Sequence, residues 1–179
     1  MNGLQVRYAF KQDEMVNYYF RGIFLNKNIP IRILEQKTYF FVVNTMVDKS
    51  RIGHWVLIYI DDIYLYFFDS LGATPSYYGG DISNFFENTS RYRIIVFSEP
   101  IQSKTSSVCG AYVIFFGYEL IRNKSIDSIK SKFKHSKFRN DRKVVKYANR
   151  IFGILKSCNR EFCHSYMYLN KCKANCKCC

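Results

Sequence analysis

Cysteine is almost missing from the first 157 residues, which hold one, Cys109; the other six crowd into the last 22. That distribution excludes a disulfide framework over most of the chain, and it leaves Cys109 with the isolation a thiol nucleophile needs. Long apolar runs are missing too. No stretch of about 18 apolar residues occurs, so no membrane span and no membrane partner are expected. Met1-Asn2-Gly3-Leu4-Gln5-Val6-Arg7 has no apolar segment of signal-peptide length, and translocation by that route is not expected. Histidine is scarce: of three copies, His135 and His164 lie in the C-terminal part and His54 stands alone upstream. Internal repeats and low-complexity stretches are absent.

What is present is aromatic and unevenly charged. Fifteen Tyr and sixteen Phe among 179 residues supply enough buried surface for one domain with a sizeable core, expected over 1–156, with a basic Cys-rich tail at 157–179. Residues 1–121 carry 11 Lys/Arg against 11 Asp/Glu, whereas residues 122–179 carry 16 against 3, so the whole net charge of +13 sits in the C-terminal third. One-sided charge of this kind attracts a polyanion through a field that fades with salt; a solvated basic tail kept for solubility is the other reading.

Periodicity places strands first and helices last, an α+β order. Residues 14–24 read as a short helix ending near Gly22, and Asn28-Ile29-Pro30 as a loop. Thr38 to Thr45 is β-branched and aromatic throughout, a buried strand. Trp55–Ile60 and Ile63–Phe68 read as two strands joined by a tight turn at Asp61-Asp62, and Tyr92–Phe97 as another strand. Asp81 is expected to cap a helix through Phe85-Phe86. Ala111 to Ile121 is apolar on nearly all sides, as a helix buried in the core would be. Ile126, Ile129 and Phe133 recur at helical spacing. Asn140 or Asp141 is expected to cap a further helix whose apolar stripe is Val144, Ala148, Ile151, Phe152 and Leu155. Arg142, Lys143, Lys146 and Arg150 fall largely off that stripe, forming a basic outer face that is the candidate DNA-binding surface.

Four residues arrive in contexts suited to one chemistry. Cys109 directly precedes the buried helix, where unpaired N–H groups and the macrodipole favour thiolate over thiol. His54, after Gly53 and before Trp55, opens a strand from which a neutral imidazole can take the thiol proton. A turn centred between positions 61 and 62 sets Asp69 opposite His54, where a carboxylate can hold the imidazole's tautomer. Gln102 lies across a polar loop from Cys109, and its amide N–H with the Cys109 backbone N–H would form an oxyanion hole. Gly53, Trp55 and Gly110 flank these groups as candidate substrate-binding positions, Gly110 because it lets a substrate or a neighbouring strand approach closely.

At these residues the chain resembles the adenovirus-type cysteine endopeptidases, in which the order is His, acid, Gln, Cys. The likeness runs over roughly residues 18–120: Tyr19-Phe20-Arg21-Gly22 with Pro30, Val43-Asn44-Thr45, Gly53-His54-Trp55, Phe68-Asp69-Ser70-Leu71-Gly72, Gln102 and Ser107-Val108-Cys109-Gly110. The related SUMO-type deconjugating proteases share His-Trp, Asp-Ser-Leu, Gln and Cys-Gly. They usually place Asp before the cysteine and space Gln and Cys more closely, and Val108 departs from that pattern.

The resemblance implies a papain-like fold in permuted chain order: a central, mostly antiparallel sheet flanked by helices, with the catalytic cysteine at the N-terminus of a buried helix. It implies Cys109 as nucleophile, His54 as general base, Asp69 as its orienter and Gln102 as oxyanion donor. It further implies cleavage of viral precursor proteins at glycine-containing sites during virion maturation, in the virion and the host nucleus. Double-stranded DNA and a viral peptide are the implied activators, and the chemistry itself requires no cofactor. One feature departs: no cysteine lies between Met1 and Val108, so the disulfide that tethers the activating peptide in the human adenoviral enzymes cannot form there. Two other readings stay open, a protease of ubiquitin-like modifiers and a basic DNA-packaging protein on an inactive protease scaffold. The tail, with Cys158, Cys163, His164, Cys172, Cys176, Cys178 and Cys179, has three: a zinc site, disulfides, or an unstructured basic segment.

Overall fold

In a computed structural model, residues 1–30, 38–46, 53–122 and 125–153 are described. The cysteine-rich tail, Leu155 and the remaining parts of the connections lie outside these residues. The elements run α1 (Gly3–Lys11), α2 (Glu14–Tyr19), β1 (Phe20–Leu25), β2 (Tyr39–Asn44), β3 (Trp55–Ile60), β4 (Tyr64–Phe68), α3 (Pro75–Tyr78), α4 (Gly80–Glu87), β5 (Arg93–Phe97), α5 (Cys109–Ile121), α6 (Ile126–Lys130) and α7 (Lys137–Gly153). One mixed sheet of five strands in sequence order carries helices on both faces.

Strand burial explains the unbroken apolar runs. Phe40 and Val42 of β2, Leu57 and Tyr59 of β3 and Phe68 of β4 face a cluster shared with α1, α2, α5 and α7. Their alternates Phe41, Val43, Ile58, Ile60, Leu65 and Phe67 face a second cluster closed by Ile82, Phe85 and Phe86 of α4. A strand covered on both sides has no polar face to alternate with. Helix α5 is likewise covered all round: every residue from Gly110 to Ile121 is buried.

Several expectations change. The pairings are evenly mixed rather than mostly antiparallel: β1–β2 and β4–β5 run parallel, β2–β3 and β3–β4 antiparallel. The β4–β5 connection contains α3 and α4, long enough for the crossover a parallel pair requires. The segment 14–24 is helical only to Tyr19, because Phe20 turns extended (ψ 118°) and pairs with Phe40, so burial in the sheet overrides the local pattern. The hairpin register also moves. Leu57 faces Phe68 and Ile60 faces Leu65, because the Asp61 carboxylate accepts the Ile63 and Tyr64 N–H groups and makes Asp61 the first residue of the turn. Pairing thus shifts by two residues, which leaves every side chain on its face.

Asp81 does not cap α4; it sits in the first turn and accepts the Ile29 N–H at 3.2 Å. Helix α7 starts before Asn140 and Asp141, and both turn inward, Asn140 to hold Lys134 N–H and C=O. Phe133 lies past the end of α6 but still packs on Tyr112, Phe115 and Phe116. Helix α1, unread above, is closed by a capping box: Asn2 accepts the Gln5 N–H at 3.0 Å and Gln5 the Asn2 N–H at 2.9 Å. Among the described residues no helix is long and apolar enough to cross a membrane.

Phe10 joins α1 to the rest, with ring centroids 4.8 Å from Phe20, 4.9 Å from Phe40 and 6.1 Å from Tyr118. Phe10→Ala should lower the unfolding free energy by about 3–5 kcal/mol in urea titrations. A loss below about 1 kcal/mol would mean that α1 is not part of the core.

Candidate functional site

The site forms where β3 begins, β4 ends and α5 starts. His54 is fixed first by its backbone: its N–H donates to Thr45 Oγ1 at 3.1 Å and its C=O accepts the Thr45 N–H at 2.8 Å. A Cβ at position 53 would stand 2.1 Å from Asn44 Oδ1, so any residue larger than glycine must displace the Asn44 side chain. Asn44 and Thr45, at the end of β2, therefore set where the imidazole begins.

Asp69 follows β4 and has no exposure to solvent. Its Oδ1 lies 2.6 Å from His54 Nε2 and accepts the Leu71 N–H at 2.8 Å. Its Oδ2 accepts the Ala73 N–H at 2.9 Å and the Tyr78 O–H at 2.8 Å. The turn that supplies these N–H groups passes through Gly72, whose φ of +81° and closeness to Pro100 and Ser98 backbone leave no place for a side chain. Tyr78 also lays its ring beside His54, centroids 6.3 Å apart.

Cys109 is the first residue of α5, preceded by Val108, which caps no N–H with its side chain. The half-buried thiol lies close enough to His54 and to the Trp55 backbone N–H for both to act on its charge. With Nε2 engaged by Asp69, Nδ1 is the ring nitrogen left for the sulfur. Cysteine, histidine and aspartate are thus electrostatically coupled through one ring.

Electrostatics follow from that coupling. Burial pushes the Cys109 thiol up, but the His54 hydrogen bond and charge, the Trp55 N–H and the Met1 amino group outweigh it, and the pKa falls below the usual thiol value. Burial opposes a charged imidazole at His54, yet the hydrogen bonds and charges of Asp69 and Cys109 raise its pKa to about 9. Burial alone would raise Asp69, but His54, the Leu71 N–H and the Tyr78 hydroxyl hold it below the usual carboxylate range. All three shifts favour thiolate facing imidazolium facing carboxylate, a set that titrates as a unit.

Gln102 is buried and lies on the loop entering α5. Its N–H and that of Ile101 both donate to Ser70 C=O, at 2.9 and 3.0 Å. The Ile101 carbonyl accepts Tyr112 O–H at 3.0 Å and Asn140 Nδ2 at 3.1 Å. Tyr112 also donates to Asp141 at 2.9 Å, so α5 and α7 together brace the loop.

The remaining candidates fall elsewhere. The open side of Gly110 is filled by Met1, whose Cβ would lie 2.7 Å from any Cβ added there, and the Trp55 indole N–H donates to Met1 C=O at 3.1 Å. Arg142, Lys146 and Arg150 are exposed at successive turns of α7. Lys143 folds back to donate to Lys132 C=O at 2.6 Å, and burial followed by Lys132 lowers its pKa. Among the described residues no group of three or more His, Cys, Asp and Glu side chains could hold a metal ion. Tyr78 stood outside every block singled out in the sequence, and Thr45 and Ser70 stood inside two of them, Val43-Asn44-Thr45 and Phe68-Asp69-Ser70-Leu71-Gly72, without an assigned role. No protein-family model matches this chain, and no curated protein matches it either.

Alkylation of Cys109 by iodoacetamide should proceed at pH values well below the ordinary thiol pKa. Asp69→Asn removes the charge that raises His54, so less imidazolium faces the sulfur and the acid edge of the alkylation profile should move to higher pH. An unmoved edge would contradict the coupling.

Proposed function

We propose that this chain is a cysteine endopeptidase of the adenovirus-protease type, with a papain-like centre in permuted chain order. The single observation carrying the reading is a His54 ring held at 2.6 Å by buried Asp69 and coupled to the Cys109 thiol, with opposed pKa shifts on the two partners. A structural cysteine has no need of an imidazole raised to about 9 and backed by a buried carboxylate.

The chemistry follows from those groups. The Cys109 thiolate attacks the scissile carbonyl, and the oxyanion is received by the Cys109 N–H and the Gln102 amide. The C–N bond breaks as His54 passes its proton to the leaving amine, leaving a thioester. Water then adds with His54 as base, releasing the acid and restoring the pair. Asp69 stays ionised and holds the ring.

Substrates in this reading are viral precursor proteins cut at glycine-containing sites in the virion and host nucleus, and duplex DNA is the polyanion for the basic third. Arg142, Lys146 and Arg150 support that partner by their exposure on one helix. Lys143 is exposed beside them, with one of its three N–H groups donating to the Lys132 carbonyl. An activating viral peptide, if used, attaches without a disulfide to residues 1–108, which hold no cysteine.

The test is hydrolysis of a panel of glycine-containing peptides and ubiquitin-like precursors. Cys109→Ala should lower kcat by roughly a thousandfold or more while leaving duplex DNA affinity unchanged. The parent rate should fall as pH rises through about 9, where His54 loses the proton it must donate. Turnover of the ubiquitin-like precursors alone would favour the deconjugating reading, and no turnover of any substrate would sink the enzyme reading. DNA affinity should fall steeply with salt, and the log–log slope should shrink by about 1 for each of Arg142, Lys146 and Arg150 replaced by Ala. A salt-independent affinity would contradict the charge argument.

A further inference from the structure

Resting on the endopeptidase reading, we propose that Ser70 is the positioning residue that locks the Gln102 amide with its N–H side available to the oxyanion. A carboxamide is nearly symmetric in shape but opposite in charge at its two ends. Turned one way it stabilises a developing oxyanion; turned the other way its oxygen repels it. Something must therefore choose the orientation.

One contact chooses it and a second holds it. Gln102 Nε2 donates to the Ser106 carbonyl at 2.9 Å, and a carbonyl can receive only an N–H. The Ser70 hydroxyl, able to donate or accept, then donates to Gln102 Oε1 at 2.6 Å and holds that orientation from a buried position. One amide N–H is used by Ser106, and the second is left over for catalysis.

The contacts differ in stiffness. Ser106 belongs to a half-exposed loop turn closed on Ser103. Ser70 is fully buried in the turn after β4, which the Gly72 N–H closes on Asp69 C=O, and its carbonyl also holds the Ile101 and Gln102 N–H groups. From that turn Asp69 reaches His54 while Ser70, its neighbour, reaches Gln102. One dipeptide aligns both the base and the oxyanion donor.

Removing a donor altogether lowers kcat by about 100- to 1,000-fold, so loosening it should lower kcat by roughly tenfold. Ser70→Ala should show that loss with KM nearly unchanged and with the rate of Cys109 alkylation unchanged, since alkylation needs no oxyanion hole. The double variant Ser70→Ala/Gln102→Ala should be no slower than Gln102→Ala alone. Full kcat in Ser70→Ala, a parallel fall in alkylation, or multiplying losses in the double variant would each overturn the proposal. A readout independent of turnover is solvent exchange of the Gln102 side-chain amide protons by NMR. Ser70→Ala should quicken it by roughly tenfold, the factor for one lost hydrogen bond, and unchanged exchange would refute the lock even in a parent that cleaves nothing. A parent inactive on every substrate but showing the quickened exchange would refute the endopeptidase reading and leave the lock standing.

Discussion

A carboxylate with no solvent contact survives as an anion only if its charge is answered inside the protein. At Asp69 the answer comes from the Leu71 and Ala73 N–H groups, the Tyr78 hydroxyl and the His54 ring, and the ring is the one member that carries charge onward. Every other feature of the site serves that contact. Thr45 pins the backbone of His54, the Asn44 side chain packs against Gly53 before it, and the Gly72 turn folds two N–H groups back onto the acid. The imidazole then has a fixed place to present to Cys109.

Fold and site are linked through the sheet. Because β3 and β4 are covered on both faces, their ends cannot slide relative to one another without exposing one cluster or the other. His54 and Asp69 stand just beyond those ends and inherit that rigidity. Helix α5, buried from Gly110 onward, packs on β3 and brings its first residue to the same place. The loop of Gln102 is braced from below by Tyr112, Asn140 and Asp141. A helix whose outer face is basic therefore also supports the loop that carries Gln102.

Much of this was legible in the chain because it depended on local chemistry. The two-sided strands and the buried helix after Cys109 follow from period. The contact of His54 with Asp69 does not follow from the turn: the pairing moves by two residues, which would set position 71 opposite 54, and Asp69 meets the ring from beyond the end of β4. What failed depended on tertiary competition. Phe20 left the helix because β2 offered a partner, and Asn140 and Asp141 abandoned capping because Lys134, Tyr112 and the Ile101 carbonyl offered better ones. Met1 beside Gly110 and Ser70 beside Gln102 are contacts between segments far apart in sequence, and no local pattern announces them.

The central claim is that one imidazole is kept charged between a buried carboxylate and a thiol. An NMR titration of the His54 side chain, assigned by its loss in His54→Ala, tests it most directly. The ring should stay protonated through neutral pH and release its proton near pH 9. A midpoint at the ordinary histidine value of 6.5 would contradict the account.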